Sequence, residues 1–409
     1  MTYQDRLQRN VQRTLLLGFF QVFLVIMPVA VPFFQSKGLS MQEVFSLQAL
    51  FGLVVLLTEV PSGYLADVLG RKRTLIVGAL VGAIGHTCLL WSEGFWTLAL
   101  FELCLGISHS LISGADLALL YDTELALGRS KDQQRQVVGR LYGARTLSEA
   151  VAALACTVVM LYAGFNELVY LQVIAGWVPV LLVLRIVEPP GERLSGESHV
   201  GNVLAIVRYL VHTSAVLRLV VLALSIWSLT TFYAVWILQK VWQSQGIDLA
   251  HFGWMWGALT LLAALAGRWA HKAEHHFGAR NVLIFIGLIP AVGYLGMEAW
   301  GVVGGLLAST SFFVARGIGL VLLRDALNQR LPSEFRATAN SIASFGFRGA
   351  FVVTGPLVGY AFDLYGMGVT LSLLVVATLV IFVTLILPLV LAVRAEQAQA
   401  TIATDLAPD

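Results

Sequence analysis

The amino-acid sequence predicts an all-α membrane protein with twelve transmembrane helices arranged as two pseudo-symmetric six-helix bundles. Three observations lead to this prediction: an apolar composition, a series of long apolar windows, and a basic loop that recurs half a chain later. Of the 409 residues, 58% are hydrophobic and 12% are charged. Soluble domains carry about 25% charged residues, so the chain has too few charges for an ordinary soluble fold.

Long apolar windows give the expected number of helices. A helix that crosses the hydrocarbon core needs about 20 mostly apolar residues. Windows of this kind lie near residues 14–34, 43–66, 74–92, 96–122, 139–163, 168–188, 216–239, 250–270, 281–299, 302–327, 337–363 and 368–392. An even number of spans places both ends of the chain on the same side of the membrane.

Basic residues indicate which side that is. They cluster in residues 6–13, 71–73 and 129–140, whereas the loops on the opposite side offer only Lys37 and Lys240. Cytoplasmic loops carry the excess of lysine and arginine. We therefore expect a multi-pass protein of the cell inner (plasma) membrane with both termini in the cytoplasm.

A polar interruption at Pro189-Pro190-Gly191 divides the chain almost equally. The segment after it, 199–212, has amphipathic spacing typical of an interfacial helix. No small-residue cleavage site follows the basic N-terminus, which indicates a retained first helix. The predicted parts are an N-terminal bundle, a cytoplasmic central loop, a C-terminal bundle and a cytoplasmic tail, at 1–188, 189–215, 216–392 and 393–409.

A glycine- and charge-rich loop follows the second window. It contains Gly63, Asp67, Gly70, Arg71, Lys72 and Arg73. A weaker copy, Gly267-Arg268 with Gly278-Ala279-Arg280, follows the eighth window without the acidic residue. The loop resembles the signature loop between helices 2 and 3 of the major facilitator superfamily.

The resemblance implies a transporter that works by alternating access, with this loop closing a cytoplasmic gate and helices 1, 4, 7 and 10 lining the central cavity. The chain is similar to a poorly characterised bacterial branch related to drug and metabolite efflux carriers. It departs from the drug–proton antiporters, because Glu102 stands where those proteins usually have an arginine.

Ionisable groups inside the membrane are costly and usually functional. Glu102, His109 and Asp116 are each seven residues apart in the fourth window, a spacing that returns to nearly the same helix face. We expect these three residues to carry coupling protons, with a structural role in helix packing as the alternative. Glu59, close to the helix-kinking Pro61, is equally a proton carrier or a cap for freed backbone groups.

Three further charges favour a structural network at the cytoplasmic end of the first bundle. Arg145 and Glu149 are spaced to pair along one helix, and Asp122 is the expected third member.

Candidate substrate-binding residues lie in the windows that the resemblance places around the cavity. Arg316 is the candidate for an anionic group. Polar or aromatic candidates accompany it: Gln21, Trp227, Thr230, Tyr233 and Phe312.

The sequence disfavours several other classes of protein. It contains no phosphate-binding P-loop, no His-Glu-x-x-His metal site and no nucleophile elbow, so we expect no enzyme activity, no cofactor and no metal. The net charge is only +2, so no basic field predicts a nucleic-acid partner. The three cysteines lie in apolar stretches and predict no disulfide framework.

The leading hypothesis is a monomeric secondary transporter that couples protons to export of an amphipathic small organic molecule. Two alternatives remain: an importer or facilitator of an organic anion bound through Arg316, and a lipid or lysolipid carrier.

Overall fold

A computed structural model describes residues 2–190 and 200–405. Regular structure within these ranges is helical throughout, without strands. Met1, residues 191–199 of the predicted central loop and residues 406–409 of the predicted tail lie outside the described residues. The all-α prediction is confirmed.

The chain forms two compact units. The first comprises Met1–Glu197 together with Ile247–Gly257, and the second comprises Ser198–Gly246 together with Ala258–Asp409. The helices of the first unit are α1 (Tyr3–Gln21), α2 (Ala30–Ser36), α3 (Met41–Leu69), α4 (Arg71–Cys88), α5 (Gly94–Ala126), α6 (Lys131–Tyr162) and α7 (Phe165–Leu184).

The remaining helices begin after the central loop. They are α8 (Val200–His212), α9 (Ala215–Leu222), α10 (Ser228–Ser244), α11 (Leu249–Phe277), α12 (Ala279–Ala299), α13 (Gly301–Gln329), α14 (Ser333–Ile381) and α15 (Leu387–Asp405). The beginning of α11, which the sequence assigned to the C-terminal bundle, packs with the first unit. A π-helical turn, Ala223–Trp227, joins α9 to α10, and a second, Phe382–Ile386, joins α14 to α15.

Ten helices in the described part of the chain are long and apolar enough to cross a membrane. The last of them, Thr338–Glu396, runs from α14 through the second π-helical turn into α15. It has 59 residues, about three times the length that one crossing needs. Gly366 interrupts it with a φ of 81°, a left-handed conformation that glycine adopts without steric cost. The lengths are consistent with twelve spans.

The first predicted span is broken. Helices α1 and α2 are separated by a turn at 22–26 and a 3-10 turn at Met27–Val29. Gln172 of α7, 1% exposed, accepts a hydrogen bond from the Val25 amide at 2.7 Å and donates to the Phe23 carbonyl at 3.2 Å. Backbone groups freed inside a membrane must find such partners, so Gln172 stabilises the break.

Each unit has its own apolar core. In the first, Leu17 of α1 packs with Leu75 of α4 and Leu119 of α5. In the second, Trp227 packs with Ile286 of α12 and its ring occupies the space that a side chain at Gly319 would need. The outward faces carry many exposed apolar side chains, as expected of helices that face lipid.

Candidate functional site

The polar stripe predicted on the fourth span lies on α5, but its members face different neighbours. Glu102 is buried and accepts a hydrogen bond from Gln48 Nε2 of α3 at 2.8 Å. The His109 ring also lies toward α3, 5.9 Å from the ring of Phe51. Asp116, in contrast, pairs with a residue of α6. The stripe is therefore divided between two neighbouring helices.

Asp116 is the centre of a polar cluster that joins α1, α5 and α6. Its side chain is fully buried, and its Oδ2 lies 2.5 Å from Arg145 Nη2. The Leu117 amide donates to Asp116 Oδ1 at 2.6 Å. Arg145 Nη2 also donates to Gln21 Oε1 at 3.3 Å. An arginine compensates the charge of Asp116, and a predicted substrate residue, Gln21, contacts that arginine.

The cluster differs from the charge network that the sequence suggested. Arg145 was expected to pair with Glu149 and Asp122. The structure gives Arg145 an ion pair with Asp116, whereas Asp122 Oδ2 lies 3.4 Å from Arg71 Nε. Glu149 is exposed on α6. The spacing rule compared residues along one helix, and the partners come from neighbouring helices.

The gate-motif residues surround the sharp turn between α3 and α4. Gly70 has a φ of 96°, which allows the chain to turn between the two helices. Asp67 and Arg71 form an ion pair, and Arg71 reaches Asp122 of α5. These three charges connect three helices at one end of the first unit, and Lys72 follows Arg71 in the first turn of α4.

Glu188 completes the motif, although sequence reasoning did not single it out. Its two carboxylate oxygens accept hydrogen bonds from the Arg71 and Lys72 amides, each at 2.8 Å. A carboxylate at a helix N-terminus satisfies free amides and interacts favourably with the helix dipole. Its position just before Pro189 gave a boundary signal but no indication of its partner. Gly63 lies within α3, and Arg73 is exposed on α4.

Most of the predicted substrate residues of the second unit lie inside its helix packing. Trp227 and Phe312 are each 1% exposed, and Thr230 donates to the Trp227 carbonyl at 2.7 Å. Tyr233 is also buried, with its hydroxyl 2.6 Å from Thr354 Oγ1. The structure therefore places these four side chains inside the helix packing, among neighbouring protein groups.

Arg316 is different, because it lines a cavity of about 100 Å³ in the second unit. Its guanidinium carbon lies 5.5 Å from the centre of the Phe232 ring, a cation–π distance. Ser228 of α10, Arg324 of α13 and Asn340 of α14 also line this cavity. Arg316 is thus the predicted substrate residue of this unit that lines open space.

The Glu59 side chain is exposed, and its carbonyl accepts a hydrogen bond from Ser62 Oγ at 2.8 Å. Among the residues the structure describes, no three His, Cys, Asp or Glu side chains are grouped as a metal site would require.

Comparison with known proteins identifies the architecture. The sequence profile of the Major Facilitator Superfamily matches residues 14–329. A segment of 66 residues is 38% identical to Solute carrier family 22 member 6 of Mus musculus. That segment covers 16% of this chain and 12% of the mouse protein, so the match spans a small part of the relative's length.

Solved structures resemble the whole chain. A bacterial homolog of the human lysosomal transporter Spinster, inward-facing and unoccupied, has a TM-score of 0.74 at 14% identity, covering 96% of this chain and 98% of that one. The nucleoside transporter NupG has a TM-score of 0.74 at 11% identity, with 93% and 98% coverage. A D-xylose–proton symporter reaches 0.67 at 16% identity, with 92% and 97% coverage. At these identities the likeness shows the fold alone.

Proposed function

The chain belongs to the Major Facilitator Superfamily, and we propose on that premise that it is a proton-coupled exporter of an amphipathic small organic molecule. It is a multi-pass membrane transporter with the fold of secondary transporters. In such folds, alternating access exposes one central site to each side of the membrane in turn. The proposal adds the direction, the coupling ion and the class of substrate.

A contrast between two acids of α5 carries the proposal. Asp116 is paired with Arg145, so its negative charge is compensated by protein. Glu102 is equally buried, but the partner the structure gives it is the neutral amide of Gln48. An isolated charge within a membrane span is expensive, and a bound proton removes it. Glu102 is therefore the proposed proton carrier, and the neighbouring His109 on the same helix is the proposed assistant.

Two donor atoms beside Asp116 support a substrate contact in the same unit. Gln21 Nε2 and Arg145 Nε are buried and have no hydrogen-bond partner among the described residues. Unpaired buried donors cost free energy, so a substrate oxygen that accepts from them would be stabilised. We assign Gln21 to the substrate site and Arg145 to both the substrate site and the charge balance of Asp116.

The motif at the beginning of α4 is the proposed gate. Asp67, Arg71 and Asp122 form a connected set of charges across three helices, with Glu188 holding the helix start. Such a set can exchange one partner for another when helices move, because each pair is only partly buried. On this proposal the gate faces the cytoplasm of a cell inner membrane, where both termini also lie, and the working unit is a monomer.

An accumulation assay tests the proposed function. Efflux-deficient bacteria that express wild type or Glu102→Gln would be loaded with a panel of dyes and labelled metabolites, with and without an uncoupler. We expect wild type to exclude at least one compound in an uncoupler-sensitive way, and Glu102→Gln to lose that exclusion. Equal exclusion by the variant would reject Glu102 as the proton carrier, and gain of a compound by wild-type cells would reject export.

The Arg316 cavity favours a second candidate, uptake or facilitated passage of an organic anion. A guanidinium group that lines open space can bind a carboxylate or phosphate. Loss of uptake of a labelled anion in Arg316→Ala, without proton flux in wild type, would favour this candidate. Proton flux that accompanies transport would exclude it.

A further inference from the structure

The last two turns of α8 carry three different faces, because side chains four residues apart lie on the same side of a helix. Each face holds one pair, which is buried and apolar, exposed and apolar, or exposed and polar: Ile206 with Leu210, Val207 with Val211, and Arg208 with His212. The buried pair belongs to the apolar core of the second unit. The two valines, 38% and 40% exposed, therefore lie between the protein-facing side of the helix and its polar side.

Two contacts hold α8 beside the ends of helices that are long enough to cross the membrane. One such helix, Ala215–Ser244, begins three residues after α8 ends, so at most about 11 Å of chain joins them. Arg218 Nη1 of that helix donates to the Val211 carbonyl at 3.0 Å. The Tyr209 ring lies 5.4 Å from the ring of Phe335, near the beginning of α14. Both contacts place α8 at the ends of crossing helices, where the hydrocarbon core gives way to lipid headgroups.

The charge on this surface is positive. Helices α8 and α9 and the turn between them contain no Asp or Glu. Among the described residues, no carboxylate pairs with Arg208, and the exposed Arg218 contacts a backbone carbonyl. On α14, Glu334 and Arg336 flank Phe335 in the sequence and contribute one charge of each sign. The arginines of α8 and α9 therefore set the sign of the charge that this surface presents.

We propose that α8 is a binding surface for anionic phospholipid of the phosphatidylglycerol type. Val207 and Val211 enter the boundary between headgroups and acyl chains, as the apolar faces of interfacial helices do, and Arg208 donates to the phosphate oxygens of a headgroup. One basic residue near an anionic membrane surface strengthens binding about five-fold. The lipid is a surface partner and not a transported substrate, so this contact is independent of the direction, coupling ion and substrate of transport.

Lipid quenching of a fluorophore on α8 tests the proposal. The full-length protein, with its three native cysteines replaced by alanine, would carry the fluorophore at Val211→Cys in nanodiscs of phosphatidylcholine and phosphatidylglycerol. Bromine-labelled versions of each lipid, used one at a time, report which lipid lies beside the fluorophore. We expect both lipids to quench its fluorescence, with a relative affinity about five-fold in favour of phosphatidylglycerol.

Matched variants assign the preference to Arg208. Arg208→Gln should reduce the preference for phosphatidylglycerol to less than about two-fold, whereas Arg208→Lys, which keeps the charge, should retain it. Arg135→Gln removes the same charge from an exposed pair with Asp132 on α6 and should leave the preference unchanged. A fluorophore at Val353→Cys, 65% exposed on α14, is the control for an apolar position away from α8, where we expect the two lipids to quench about equally.

Three results would overturn the proposal: no quenching at Val211→Cys by either lipid, equal quenching by both lipids, or a preference that Arg208→Gln leaves unchanged. Oxidative cross-linking of the same cysteine between two copies of the chain, without lipid quenching, would also overturn it. In that case a second copy, and not lipid, covers the exposed valines.

Discussion

Replacing Asp116 with asparagine removes the negative partner of Arg145 and keeps the side-chain size. Asp116 is fully buried and Arg145 is 22% exposed, with 2.5 Å between the paired atoms. Removing one partner of a buried ion pair costs about 3–5 kcal/mol. Since Arg145 keeps some access to solvent, we expect Asp116→Asn to lower the free energy of unfolding by about 3 kcal/mol, the lower end of this range.

The expected change in melting temperature follows from the size of the unit. The first unit contains roughly 200 residues. In domains of this size the melting temperature falls by about 2–4 °C for each kcal/mol of lost stability. Asp116→Asn should therefore lower the melting temperature in detergent by about 6 °C or more, measured by tryptophan fluorescence. The double variant Asp116→Asn/Arg145→Gln should recover part of this loss, because it removes both charges.

A matched control uses the same substitution on an exposed pair. Asp132 and Arg135 lie 3.8 Å apart with both side chains at least 80% exposed, and exposed pairs contribute about 0–1 kcal/mol. Asp132→Asn should leave the melting temperature within about 3 °C of wild type. The buried pair would be refuted if Asp116→Asn and Asp132→Asn lowered the melting temperature by similar amounts. It would also be refuted if the effects of Asp116→Asn and Arg145→Gln were strictly additive.

Three further substitutions test other parts of the first unit. Gln172→Leu removes both hydrogen bonds to the break between α1 and α2 and should destabilise the protein by about 2–5 kcal/mol. The control Gln8→Leu, on an exposed face, should leave the melting temperature unchanged. Glu188→Ala should accelerate amide hydrogen exchange at Arg71 and Lys72 about five-fold or more, from the loss of a cap worth about 1 kcal/mol, and unchanged exchange there would contradict the cap. Gly70→Ala forces a residue with a side chain into a left-handed conformation and should lower stability by about 1–2 kcal/mol. Gly63→Ala, with open space at its Cβ, should not lower it. Equal melting temperatures of the two variants would contradict the expected strain at Gly70.

The sequence predicted the features that depend on local composition. Apolar windows locate spans because each crossing needs its own run of about 20 apolar residues. The loop from Gly63 to Arg73 was recognisable because a turn with glycine at positive φ and flanking charges is encoded in consecutive residues. The helix after the central loop, α8, likewise follows from amphipathic spacing within one segment.

Features that depend on distant partners could not be predicted in the same way. The window 14–34 is continuously apolar, and the residue that stabilises its break, Gln172, lies 147 positions from Val25. The partner of Arg145 is on α5 rather than one turn away on α6. A single sequence gives no information on which helices are neighbours, so the choice between Asp116, Asp122 and Glu149 required the structure.

The same limit explains the aromatic candidates of the second unit. A tryptophan in a membrane span fits a substrate site, a lipid-facing surface or a helix contact equally well by composition. Trp227 proved to fill the space left by Gly319 on a neighbouring helix. Ser228, the next residue, lines the cavity instead, a difference of one position that only the packing decides.

Transport driven by an imposed pH gradient tests most directly whether Glu102 carries the coupling proton. Purified wild type and Glu102→Gln would be reconstituted into proteoliposomes with an exported compound found in cells, and its movement followed with and without a pH difference. We expect wild type to concentrate the compound against its gradient only when the pH gradient is imposed. Glu102→Gln should exchange the compound but not concentrate it. Uphill transport by Glu102→Gln at the wild-type rate would show that Glu102 does not carry the coupling proton.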